Sequence, residues 1–275
     1  MLVWLVILVL LVFLSYNESK PQGLKYTWIP DSAQFDYMVG ISYRDVPVCS
    51  GAIIKIYVVL TAASPMRYHN INHGPVTDSL KAHVIYHEWD KSVAIEVESN
   101  YFQTKFFNHS TEAFEKSGIY APVHDLACLA LTRQLPTDAS ALSVRHPIRK
   151  HRSIKEVFKS TGVFTIVGHG YADRLHVQQN IQLEAVDYLV DDVLVDCDEW
   201  IPRSWGYFVC LLNVDNFVGI SSGAALLHNG VFVAVGSFSL TRGSETILLL
   251  TDLRKYKSFH LFRDEYNGTQ KQTMW

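Results

Sequence analysis

Apolar residues gather in short runs broken by turn-forming residues. The first series covers residues 37–43, 50–61, 81–86 and 93–101; the second covers 163–167, 183–188, 207–212, 224–227, 231–238 and 246–250. Runs of this length bounded by Gly, Pro, Asn and Asp predict β-strands. Asn229-Gly230, between two such runs, predicts a two-residue hairpin turn. One segment has a helical spacing instead: Leu253, Tyr256, Phe259 and Phe262 predict a helix over 251–262. Residues 20–36 are polar and proline-marked, 102–123 read as an inserted surface loop, and 263–275 form a tail. The pattern is all-β with a terminal helix.

Residues 2–14 are unbroken apolar residues, shorter than the roughly 20 that a membrane span needs, and Ser15-Tyr16-Asn17-Glu18-Ser19 follows at once. Residues 1–19 therefore predict a secretory signal peptide, with its cleavage site not fixed. The segment before the apolar run holds no Lys or Arg, so a hydrophobic anchor stands as the other reading. Secretion implies an oxidising compartment for Cys49, Cys128, Cys197 and Cys210. It also makes Asn108 (Asn-His-Ser) and Asn267 (Asn-Gly-Thr) candidate glycosylation sites on exposed loops.

With 275 residues, 48% of them hydrophobic, the chain can bury a substantial core. A net charge of -3 gives no global signal for nucleic acid. Arg145, Arg149, Lys150, Arg152, Lys155 and Lys159 stand against Glu156 alone; the stretch reads as a solvated linker or as a docking site for an acidic partner. His69 and His73, like His83 and His87, are spaced i, i+4, which on a strand is about 13 Å and too far for a shared metal. No metal or cofactor is expected, and the twelve histidines read as surface residues.

Gly219-Ile220-Ser221-Ser222-Gly223-Ala224 resembles the Gly-Asp-Ser-Gly-Gly-Pro nucleophile motif of trypsin-like serine proteases. Cys49-Ser50-Gly51-Ala52-Ile53-Ile54 and Leu60-Thr61-Ala62-Ala63-Ser64-Pro65 are similar to that family's Cys-Gly-Gly-Ser-Leu-Ile and Leu-Thr-Ala-Ala-His-Cys. His124-Asp125-Leu126-Ala127-Cys128-Leu129 resembles its Asp-Ile-Ala-Leu-Leu run. The resemblance spans residues 37–262. It implies two packed antiparallel six-stranded β-barrels, one over about 37–144 and one over about 160–250, followed by the C-terminal helix.

The same resemblance assigns Ser221 to the nucleophile, Gly219 to the oxyanion loop, Asp125 to the orienting acid and Ser64 to the place of the catalytic histidine. Imidazole takes a proton near neutral pH and returns it to the leaving group, which a serine hydroxyl cannot do. Losing that base from a comparable triad costs on the order of 10⁶-fold, about 8 kcal/mol of barrier. Ile220 stands where the family keeps the acid that pairs with a freshly cleaved amino terminus, and no Ile-Val-Gly-Gly terminus occurs near Leu24. Asp215 matches the trypsin specificity acid, as a ligand anchor or as a surface acid; Phe217 replaces the cysteine expected beside it.

Cys197 and Cys210 match a second-barrel disulfide of the family. Cys49 has lost its usual partner to Pro65, leaving a Cys49–Cys128 bond or two buried thiols. The resemblance thus implies a secreted pseudoprotease that binds proteases, serpin-type inhibitors or other extracellular cascade proteins, with no nucleic acid and no membrane once the signal peptide is removed. The alternatives are a serine hydrolase with an unusual base, and a carrier.

Overall fold

The structure is a computed structural model that describes residues 26–28, 34–55, 57–71, 74–76, 79–84, 93–103, 105–106, 122–133, 162–170, 182–213 and 222–256. The first sheet contains β2 (Met38–Tyr43), β3 (Val46–Lys55), β4 (Val58–Thr61), β6 (Leu80–Val84) and β7 (Val93–Phe102) from the first strand series, and β8 (Ala127–Leu131), which follows it. The expected run 50–61 is therefore two strands, turned at Tyr57. Six strands close on themselves in the order β7-β6-β2-β3-β4-β8, with β8 pairing back onto β7; β5 (Gly74–Pro75) adds to the outside of β7. Closure removes free edges.

The second series forms β9 (Val163–Gly170), β10 (Gln182–Leu189), β12 (Phe208–Leu212), β13 (Ala225–His228), β14 (Val231–Arg242) and β15 (Glu245–Asp252). These six lie in the order β10-β9-β13-β14-β15-β12, and the sheet ends on two short strands, β1 (Tyr26–Trp28) beside β10 and β11 (Leu194–Val195) beside β12. It is a half-barrel beside a closed barrel. The 20–36 segment thus contains a strand its composition did not announce, held by pairing with Ala185, Val186 and Asp187.

Asn229 and Gly230 have φ of 49° and 75°, the left-handed pair that lets a two-residue turn follow the strand twist. Arg44 and Asp45 join β2 to β3 in the same way, with φ of 52° and 62°. One continuous core joins the two sheets: Ile41, Ile53 and Leu129 from the first pack in the same cluster as Val167, Ala225 and Val235 from the second.

Two expectations change. Thr251 and Asp252 do not begin a helix: they end β15, paired with Phe208 and Ala234, and Leu253–Lys255 forms a single 3₁₀ turn. Leu253 and Tyr256 are spaced by three because both reach the core from that turn, and residues 257–262 lie outside the described residues. The 102–123 segment is core at its ends, where Phe102, Phe106 and Val123 are fully buried.

Candidate functional site

A buried carboxylate organises the site. Asp125 follows His124, whose positive φ of 51° turns the chain into β8. Its side chain is 0% exposed and meets the start of the short helix α1 (Ser64–Tyr68), where Pro65 occupies the first turn. Asp125 Oδ1 accepts from the backbone N–H of Ala63 at 2.8 Å and of Ser64 at 2.7 Å. These are helix-start donors with no partner inside the helix, and the carboxylate supplies one from the segment leading into β8. Asp125 Oδ2 accepts from Ser64 Oγ at 2.8 Å and from Ser237 Oγ at 2.5 Å. Burial pushes the Asp125 pKa up, and the bonds from Ser237, Ser64 and Ala63 pull it back down.

The second sheet brings a further hydroxyl. Ser237 lies on β14, and its carbonyl accepts from Ser222 Oγ at 2.7 Å. Hydroxyls and carboxylate so form one connected group: Ser222 to the Ser237 backbone, Ser237 to Asp125, Ser64 to Asp125. Ser222 is fixed at its carbonyl too, which accepts from Ser50 N at 2.9 Å. The next residue, Gly223, has φ of 85°, and a Cβ there would stand 1.8 Å from the Ser50 carbonyl oxygen and 2.5 Å from Thr61 Oγ1. Only glycine fits.

The Ser64 hydroxyl donates to Asp125, and its remaining lone pairs belong to an alcohol, which takes up a proton only in strong acid. A serine also stops one atom beyond Cβ, whereas an imidazole would carry a second ring nitrogen beyond the one facing the carboxylate. Asp125 keeps all the donors it needs without a histidine.

The structure brings together Ser64 and Asp125. Ser221, Gly219 and Asp215 lie outside the described residues, as do Asn108, Asn267 and the 1–19 and 145–159 segments. Sequence reasoning assigned no role to Ser222 or Ser237; the hydroxyl at each was the available signal.

The histidine expectation is corrected. Of the five described, His83, His124, His169 and His228 are buried and only His69 is partly exposed. Strand pairing and the barrel joint enclose them: His83 Nε2 lies 2.7 Å from Ser42 Oγ, His124 Nδ1 lies 2.9 Å from the Tyr256 hydroxyl, and His228 packs on Phe164. Ser42, Tyr256 and Phe164 are not members of the Asp125 group.

Cys197 and Cys210 form the expected disulfide, with Cα atoms 5.4 Å apart. Cys49 and Cys128 are free and buried, which selects the thiol alternative. Burial pushes the Cys49 thiol up to about 12, so it stays protonated. Among the described residues no group of three or more His, Cys, Asp or Glu could hold a metal, and no helix is long and apolar enough to cross a membrane.

No family model matches the sequence, and no curated protein matches it. Solved structures do. Human heparin binding protein is similar at a TM-score of 0.60 and 16% identity, over 85% of this chain and 93% of that one. Neuropsin, a serine protease of mouse brain, is similar at 0.59 and 14%, over 86% and 98%. Kallikrein-related peptidase 10 is similar at 0.58 and 16%, over 86% and 99%. With its closed six-stranded barrel packed on a half-barrel and Asp125 set at their joint, the chain adopts the trypsin-like serine protease fold.

Proposed function

We propose that this protein is a secreted, non-catalytic member of the trypsin-like type that acts by binding extracellular proteins such as proteases, serpin-type inhibitors or cascade components. The observation that carries this reading is the Ser64 hydroxyl standing at Asp125 Oδ2, 2.8 Å away, where catalysis needs an imidazole. Without that base, an oxyanion hole and binding together supply about 10³ to 10⁴ over water, far short of a working protease. The apolar leader and the Cys197–Cys210 disulfide support an extracellular setting. One structural neighbour is named for binding heparin, so binding is at home on this fold.

The test is direct. Purified protein should not cleave Arg-, Lys- or aromatic-directed peptide substrates and should not react with a fluorophosphonate probe. Stoichiometric labelling at Ser221 or Ser222 would overturn the reading. A pull-down from the native secretion should then return a protein partner.

A further inference from the structure

Two buried histidines sit where the closed barrel meets the half-barrel. His83, on β6, pairs across the sheet with Gly40 of β2, and Gly40 pairs in turn with Ser50 of β3. The three form a row on one face, and Gly40 adds no side chain between the other two. His83 Nε2 is 2.7 Å from the hydroxyl of Ser42, itself 0% exposed.

From the half-barrel, β9 packs on β2 and β3 and brings His169 to this row. The His169 amide donates to Ser50 Oγ at 2.8 Å, and its ring bonds the Val39 backbone. The ring is 3% exposed, and its Nδ1 has no hydrogen-bond partner. The joint has no slack: a Cβ on the adjoining Gly168 would lie 2.8 Å from the Ala224 Cβ and 3.3 Å from Ser50 Oγ. Ser50 N also holds the Ser222 carbonyl, so the same few atoms anchor the start of β13.

We propose that His83 and His169 make the joint between the two sheets acid-labile: firm at neutral pH, and loosened together with the Ser222 turn in mildly acidic surroundings. A proton on His169 Nδ1 would be a charge with no acceptor in a site closed to water, so the ring takes one up only when the joint opens. Burial, the main cause in each case, holds His83 down to about 4 and His169 to about 3. Lys81 further discourages protonating His83 while Asp45 favours it, and His83 is the charge that acts on His169. The cross-strand neighbours are uncharged: Gly40 and Ala94 beside His83, Leu183 beside His169.

The sign follows from linkage. An opened joint binds protons from about pH 6.5 downward, while the closed one refuses them until about pH 4 and 3. Closure therefore weakens as pH falls through that window. At pH 5 the opening equilibrium rises about 30-fold for each histidine relative to pH 8, and about 10³-fold for the two together.

Hydrogen exchange of the full chain at pH 7.5 and 5.0, corrected for intrinsic rates, tests this. Peptides covering 38–43, 46–55 and 163–170 should lose protection by at least about 10²-fold at the lower pH. His169→Phe should remove about 30-fold of that loss. Unchanged protection at pH 5, or an equal loss in His169→Phe, overturns the proposal. Should that variant fail to fold, the wild-type ring resonances decide: neutral-form shifts for His83 and His169 at pH 5.5 support the proposal, and charged-form shifts overturn it.

Discussion

Asp125 accepts four hydrogen bonds while shielded from water, and that makes it a structural residue whether or not it serves chemistry. Replacing it with leucine strands the N–H groups of Ala63 and Ser64 and the hydroxyls of Ser64 and Ser237. Each buried donor left without an acceptor costs about 1–3 kcal/mol, and the hydroxyls can turn to other acceptors. Asp125→Leu should therefore lower urea-unfolding stability by about 3–5 kcal/mol, and Asp125→Asn by less because an amide oxygen still accepts. A loss under about 1 kcal/mol would show that the carboxylate does not hold the start of α1. Its pH effect opposes that of the buried histidines: a carboxyl whose folded pKa is raised favours the folded state at low pH and loses that contribution as pH rises through the raised value. The resemblance around Asp125 and Ser64 made this pair legible in the sequence. That serine keeps the carboxylate satisfied was not legible, because it depends on where two hydroxyls from different sheets point.

At the scale of elements, the sequence announced strands better than it announced ends. Ten expected runs became eleven strands with boundaries shifted by a few residues, since period and turn residues are local signals. The lost C-terminal helix start and the added β1 have one cause: pairing with a neighbouring strand outweighs local spacing, and a neighbour cannot be seen in a single run. The Asn229-Gly230 hairpin was readable because its turn chemistry is local. Gly223 has a stronger requirement than the turn glycine: Gly230 has open space around it, while a side chain at 223 meets the Ser50 backbone. Gly230→Ala should cost about 1 kcal/mol, through its positive φ alone. Gly223→Ala should cost about 3 kcal/mol or more, because backbone must move and the Ser222–Ser50 bond goes with it. Equal costs in thermal unfolding would mean that β3 and the Ser222 turn are not held in contact.

For the molecule as a whole, the candidate site belongs to neither sheet alone: Ser64 and Asp125 come from the closed barrel, Ser222 and Ser237 from the half-barrel. Restoring one group therefore tests whether one group is all that is missing. Ser64→His returns an imidazole beside Asp125, whose carboxylate already accepts from the backbone at that position. Yet Ile220 still offers no carboxylate to an incoming amino terminus, the pairing that the resemblance implies would shape an oxyanion loop at Gly219 and Ser221. Residues 26–28, leading into the first barrel, lie as a strand along β10. One missing oxyanion donor costs about 10² to 10³ in rate. Ser64→His alone should accordingly leave peptide hydrolysis undetected, before and after limited proteolysis ahead of Tyr26. Adding Ile220→Asp with a supplied Ile-Val-Gly-Gly terminus should be needed before a fluorophosphonate reacts at the nucleophile loop. Rapid labelling of the single variant would mean that the loop is already shaped for an oxyanion, and that an imidazole at position 64 is sufficient for the reaction.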